Sequence, residues 1–285
     1  MRITALVSIK GGGSKSTICQ VMGTGLRVVA QTLGTLKEDQ LPRPLIVDYD
    51  VQGSVSLFNQ AYDPDNPTMY HVQKNAATME EAVVKTDLVH IVTANNSLNN
   101  VDYPGVKYLE GVRALHKPLR ESNLPYTHLI IDTPGNAVAI HLAQALTVAD
   151  DVIIPIIPDA ANFEVLDQTI DIVKTVKENQ NPNLKIAGLL ISRATRTSLT
   201  NAYTDAIHQV SEFTNQAGLP CKVFAAIIRE KNDIRNSQDL KTSIFDTVMD
   251  SIQTHEYIAF LAEYLGIFNR EQAKEYLEYV ARSAK

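Results

Sequence analysis

The chain has 285 residues, 45% of them hydrophobic, and a formal net charge of −6. That apolar content is ample for a buried core and excludes a disordered chain, while the acidic balance gives no global attraction to nucleic acid, so DNA binding would need a local basic face. Cys19 and Cys221 are too few and too far apart for a zinc site or a disulfide framework, and no apolar run approaches membrane-spanning length.

Met1-Arg2 passes directly into an apolar run, residues 3–9, that reads as a short buried strand. No signal-peptide core or cleavage site precedes it, so a cytoplasmic protein is expected. Next comes Ser8-Ile9-Lys10-Gly11-Gly12-Gly13-Ser14-Lys15-Ser16-Thr17, followed by a helical stretch over 18–33. Strand, glycine-rich turn, then Lys-Ser-Thr opening a helix is the order that builds a phosphate cradle. Glycines let backbone N–H groups converge on an anion without a Cβ in the way, and the helix N-terminus adds unpaired donors. Lys15 supplies a cation for outer phosphates and Ser16 a hydroxyl for Mg²⁺.

Residues 35–44 read as a charged connection, and 45–50 as a second buried strand ending in Asp48 and Asp50. Residues 61–75, containing Asp63-Pro64-Asp65-Asn66-Pro67, read as a surface loop. Thr78 and Glu81 have the spacing of a capping box for a short helix. A strand is expected at 88–92, a polar turn at 95–100 and a helix at 106–119. Leu129-Ile130-Ile131-Asp132 is apolar without alternation, the mark of a strand buried on both faces of a parallel sheet. Asn136 suits either a switch contact or the N-cap of a helix from Ala137.

Further strands are expected at 151–157, 184–192 and 223–228, with helices at 163–176 and through about residue 214. Residues 269–284 form a capped helix with Ala273, Tyr276, Leu277 and Val280 on one face and mixed charges on the other, suited to packing on the protein better than to anionic lipid. Repeated strand–helix units predict an α/β fold, a doubly wound and mostly parallel sheet with helices on both faces. Nothing divides the chain, so one domain over 1–285 is expected, with C-terminal helices from about 250 packed on it.

Lys10 together with Lys15 gives the segment a likeness to the deviant Walker A signature K-G-G-x-G-K-[ST]-[ST], and the chain resembles the ParA/MinD superfamily over about residues 1–250. Asp48 to Gly53 is similar to that family's D-x-D-x-Q-G switch, 129–135 to its [IV]-D-[TC]-P-[PG], and 149–155 to its next strand. The chain departs from the pattern at Ser14, where glycine is usual, at Val51, where proline is usual, and at Ser192-Arg193, where Asn-Arg is common.

The resemblance implies a P-loop ATPase that binds ATP and Mg²⁺ through Lys10, Gly11, Gly12, Gly13, Ser14, Lys15, Ser16 and Thr17. Lys10 is then the lysine that reaches across a nucleotide-sandwich homodimer. Ser16 and Asp132 hold the metal, Asp48 supports its shell, and Asp50 orients the attacking water. ATP is preferred over GTP because no Asn-Lys-x-Asp-like guanine reader occurs. Basic residues after the last strand imply nonspecific DNA binding by the dimer, through Arg229, Lys231, Arg235 and Lys241 with Arg193 and Arg196. The same charges, interspersed with Glu230, Asp233 and Asp239, also fit a plain solvated surface. A ParB-like partner would stimulate hydrolysis, and the cycle would segregate a plasmid or chromosome, or position another cargo. A MinD-like membrane role and a metabolic or signalling enzyme on the same scaffold are the alternatives.

Overall fold

The structure, a computed structural model, describes residues 1–12, 14–34, 36–101, 111–136, 140–195 and 197–283. Gly13 and Arg196 lie outside the described residues, as do part of the helix expected over 106–119 and the start of that expected from Ala137. Seven strands, β1 (Arg2–Leu6), β2 (Pro44–Asp48), β3 (Val83–Lys85), β4 (His90–Val92), β5 (His128–Asp132), β6 (Asp151–Ile156) and β7 (Lys185–Ile191), form one sheet in the order β3-β4-β2-β5-β1-β6-β7. Every pairing is parallel except β3 with β4.

The apolar runs explain why this sheet is covered on both sides. Alternate residues of one strand point to opposite faces. Leu45, Val47, Leu129 and Ile131 join one core with Leu142, Leu146 and Val173. Their neighbours Ile46 and Ile130 join the other, with Ile18, Met22 and Leu26 of helix α1 (Lys15–Thr32) and with Phe260 and Leu261. These are fully buried side chains, each stabilising by about 1.5–3 kcal/mol. The expected doubly wound α/β architecture is what forms.

Helices Ile252–Leu265 and Arg270–Ser283 cover the α1 side. Their approach is close: a Cβ built on Gly25 of α1 would lie 2.3 Å from Phe245 Cε2 and 2.6 Å from Leu261 Cδ1. On the second helix Ala273 is fully buried and Tyr276, Leu277 and Val280 half-buried, the face that the pattern gives.

Three segments differ from expectation. Helix Met69–Gln73 forms within the expected surface loop, because Met69 and Val72 dock in the core. The helix expected over 163–176 is two, Ala160–Phe163 and Leu166–Asn179. Residues 223–228 are not a strand; only isolated bridges link Leu189 to Val223 and Ala194 to Arg229. Two backbone donors, one in this segment and one just after it, turn to helix Ile252–Leu265 instead. Ala225 N donates to Glu263 Oε2 at 2.9 Å and Arg229 N to Glu256 Oε2 at 2.8 Å.

Strand order reverses at β1, which has β5 on one side and β6 on the other. Chain segments leaving β1 and its neighbours diverge there and leave a crevice at the carboxyl ends of the strands. The glycine-rich turn sits at that point.

Candidate functional site

β1 ends at Leu6, Val7 N still bonds Ile153 O at 3.0 Å, and the chain then bends through the glycines. The first bond of α1 runs from Ile18 N to Ser14 O at 2.9 Å. Gly12 has φ of 76° and Ser14 has φ of 69°, so a serine occupies a backbone state that favours glycine. Ser14 Oγ is buried and has no hydrogen-bond partner among the described residues. A Cβ built on Gly11 or Gly12 would meet nothing within 4 Å, so this backbone faces open space.

Lys15 is 6% exposed and its ammonium folds back over the bend, donating to Ser8 O at 3.1 Å and Lys10 O at 3.3 Å. Burial lowers its pKa, opposed by the charges of Asp132 and Asp50. The Lys10 side chain is half-buried and has no hydrogen bond or ion pair among the described residues.

Asp48 and Asp132 end adjacent parallel strands in register and are both fully buried. Ser16 Oγ donates to Asp132 Oδ2 at 2.7 Å, while Asp132 Oδ1 is buried without a partner among the described residues. Asp48 is used differently. Its Oδ2 accepts from Ser56 N (2.9 Å) and Ser56 Oγ (2.7 Å), and its Oδ1 from Asp50 N (3.2 Å). It therefore braces the turn 48–56 from behind. Gly53, at φ of 61°, closes that turn, and a Cβ there would lie 2.7 Å from Ala94 O. The turn leaves Asp50 half-buried on the wall of the crevice, accepting from Gln52 N at 3.0 Å.

Burial pushes both Asp48 and Asp132 above the ordinary carboxyl range, and at Asp132 the nearby Asp48 adds to the rise. Two buried acids against one buried ammonium leave a deficit of positive charge, and Asp132 Oδ1 is an orphaned oxygen beside the Ser16 hydroxyl. A hard divalent cation satisfies both, and Mg²⁺ needs only a few protein oxygens when phosphates and water complete its shell. The residues fit magnesium and a polyphosphate.

The crevice holds about 510 Å³. One side is the glycine bend with Lys15, Ser16, Thr17, Asp50 and Gly135. The other is Ser192, Arg193, residues 228–232, Ile234, Arg235, Gln238, Gln253 and Tyr257. Gln253 and Tyr257 have no sequence motif; only their place on helix Ile252–Leu265 brings them here.

Among the basic candidates, Arg193, Arg229, Lys231 and Arg235 come together at this crevice and Lys241 does not line it. Arg193 is ion-paired with Glu230 at 2.8 Å, and Arg229 with Glu256 at 3.2 Å. Lys231, Arg235 and Lys241 are exposed and have no ion pair among the described residues.

Residues 1–186 match the AAA_31 family model, described as an AAA domain. The chromosome partitioning protein ParA of Caulobacter vibrioides is 27% identical over 205 residues, which cover 67% of this chain and 69% of that protein. Among solved structures, a variant of Cyanothece McdA in complex with ATP superposes with a TM-score of 0.74 at 17% identity, covering 94% of this chain and 98% of that one. Cobyrinic acid a,c-diamide synthase from Mycobacterium smegmatis, with bound ATP analogue and magnesium, gives a TM-score of 0.72 at 23% identity, covering 96% and 97%.

Proposed function

The chain belongs to the AAA_31 family and is a ParA/MinD-type P-loop ATPase, and from that premise we propose that it runs a partition-type cycle. ATP and Mg²⁺ fill the crevice and favour a sandwich homodimer. The dimer binds DNA nonspecifically, and a ParB-like partner stimulates slow hydrolysis to release it, segregating a plasmid or chromosome or positioning another cargo. The protein works as one unit over 1–285 in the cytoplasm, on the nucleoid when bound to DNA. No helix of the described residues is long and apolar enough to cross a membrane.

The observation that carries this reading is the Ser16–Asp132 pair with its unpartnered Oδ1, set beside Lys15 at the head of α1. Ser16 and Asp132 hold the metal, and magnesium bound there supplies positive charge against the outer phosphates. Lys15 exchanges two backbone carbonyls for phosphate oxygens. The bend backbone from Gly11 to Thr17 cradles the phosphates, and Lys10, unpaired among the described residues, reaches the other subunit's nucleotide. Asp48 supports the metal shell by fixing the turn, and Asp50 orients water for attack. Lys231, Arg235 and Lys241, with Arg193 and Arg196, contact DNA phosphates, so binding is salt-sensitive.

Retention on nonspecific DNA and on anionic vesicles, measured with Mg²⁺–ATP at two salt concentrations, tests the cycle. Wild type should be held on DNA only with ATP, and less at high salt. Lys15→Ala should lose nucleotide binding, whereas Asp50→Ala should keep ATP-dependent dimers and lose turnover. Retention on vesicles alone, or full hydrolysis by Asp50→Ala, would overturn the reading.

A further inference from the structure

The two walls of the crevice are built in different ways. The phosphate side is held by its own bonds, Lys15 to the carbonyls of 8 and 10 and Ser16 to Asp132. It lies within the segment that matches the family model. The opposite wall, including Ser192, Ile228, Asn232 and Ile234, lies beyond that segment. Its chain over 228–234 is not a strand of the sheet.

Backbone bonds tie residues 228 and 230 to 191–194, and one helix holds the rest of that wall. Gln253 is 2% exposed and bridges the two ends of the loop 229–234: its Nε2 donates to Arg229 O at 2.8 Å and its Oε1 accepts from Ile234 N at 3.0 Å. One turn further on, Glu256 is also 2% exposed, accepts from Arg229 N at 2.8 Å, and pairs with the Arg229 guanidinium at 3.2 Å. Backbone groups that lack a ladder must be paired elsewhere, and here two side chains of one helix do it. A nucleotide with its phosphates on the glycine bend meets this wall, along with Gln52, Ser54 and Phe58, with its ribose and base.

We propose that Gln253 and Glu256 are positioning residues for the base: they fix 229–234 against the crevice, and affinity for the nucleoside part of ATP depends on them while affinity for the triphosphate part does not. The proposal rests on the nucleotide reading of the crevice. It adds that helix Ile252–Leu265, far from the motifs in sequence, sets the grip on the nucleoside.

The test compares Mg²⁺–ATP with Mg²⁺–tripolyphosphate by titration calorimetry, with thermal unfolding as a check on folding. Wild type should bind ATP more tightly than tripolyphosphate. Gln253→Met keeps the buried volume and removes both hydrogen bonds, and it should weaken ATP about tenfold while tripolyphosphate changes less than about twofold. Should Gln253→Met fail to fold, Gln253→Glu keeps the acceptor for Ile234 N, strands the Arg229 carbonyl and carries the same comparison. An equal loss for both ligands, or unchanged ATP affinity, would overturn the proposal. If wild type binds neither ligand, the nucleotide reading itself fails, and the two failures are told apart.

Discussion

Replacing Ser14 by glycine should make the protein more stable, contrary to the usual cost of putting glycine at a helix start. The backbone there has φ of 69° and ψ of 5°, a state that costs an L residue about 1 kcal/mol relative to glycine. Its hydroxyl is buried without a partner among the described residues, and an unsatisfied group of that kind costs about 1 kcal/mol or more. Glycine gives back about 0.5–1 kcal/mol through the extra freedom of the unfolded chain. The balance is a gain of about 1 kcal/mol, a rise of about 3 °C in Tm for a chain of this length. Urea unfolding without nucleotide measures it, with Ser14→Ala alongside to separate hydroxyl from backbone. Alanine keeps the strained φ and removes the hydroxyl without glycine's extra unfolded-state freedom, so it should recover most of the gain. Mg²⁺–ATP affinity should change less than about threefold, because the bend already has the shape that glycine favours. A lower midpoint for Ser14→Gly would refute the reasoning, since it requires either a partner for the hydroxyl or a relaxed backbone.

Asp132→Asn should raise the stability of the ligand-free protein, by removing a buried carboxyl whose ionised form is penalised, while weakening Mg²⁺–ATP binding at least about tenfold; calorimetry and thermal unfolding read the two effects. Gly25→Ala should destabilise by about 1–3 kcal/mol despite alanine's better helix propensity, because the new methyl collides with Phe245 and Leu261, and a single cooperative transition in urea would show the C-terminal helices unfolding with the sheet. His128 has its pKa lowered from 6.5 to about 4, chiefly by burial and then by the Arg2 charge. The unfolded chain therefore binds the extra proton first, so stability present above pH 6.5 is lost as pH falls through about 4, and His128→Gln should show a shallower fall in urea midpoint over that window.

Much of the fold could be read because its signals are local. Leu129-Ile130-Ile131 lacks alternation, and its residues divide between the two cores as a strand covered on both faces must. The Thr78 box forms as spaced, with Thr78 N to Glu81 Oε2 at 2.8 Å and Glu81 N to Thr78 Oγ1 at 3.2 Å. The glycine bend was legible for the same reason: glycines, Lys15 and Ser16 lie within one turn of each other. Residues 223–228 were misread because their apolar pattern is that of a strand, while the partners of Ala225 and of the adjoining Arg229 lie on a helix 38 and 27 positions away. Spacing carries no trace of such a bond. The role of Asp48 was blurred by proximity, since both aspartates end adjacent strands and only the Ser56 contacts distinguish the brace from the carboxylate with an open oxygen.

The same distinction between held and open groups sorts the cations proposed to meet DNA. Arg229 is 37% exposed but its partner Glu256 is 3% exposed, so releasing the guanidinium to a DNA phosphate would leave a buried carboxylate without its cation. Breaking a pair in that way costs about 3–5 kcal/mol, more than one phosphate contact returns. Arg193 and Glu230 are 49% and 46% exposed, and such a pair holds by about 1 kcal/mol at most. Arg193 can therefore change partners and Arg229 cannot. Lys231, Arg235 and Lys241 need release nothing among the described residues, so the DNA contacts of the proposed dimer fall to these three with Arg193 and Arg196. Arg229 stays with the wall of the crevice, where its backbone N–H and carbonyl are bonded to the same helix.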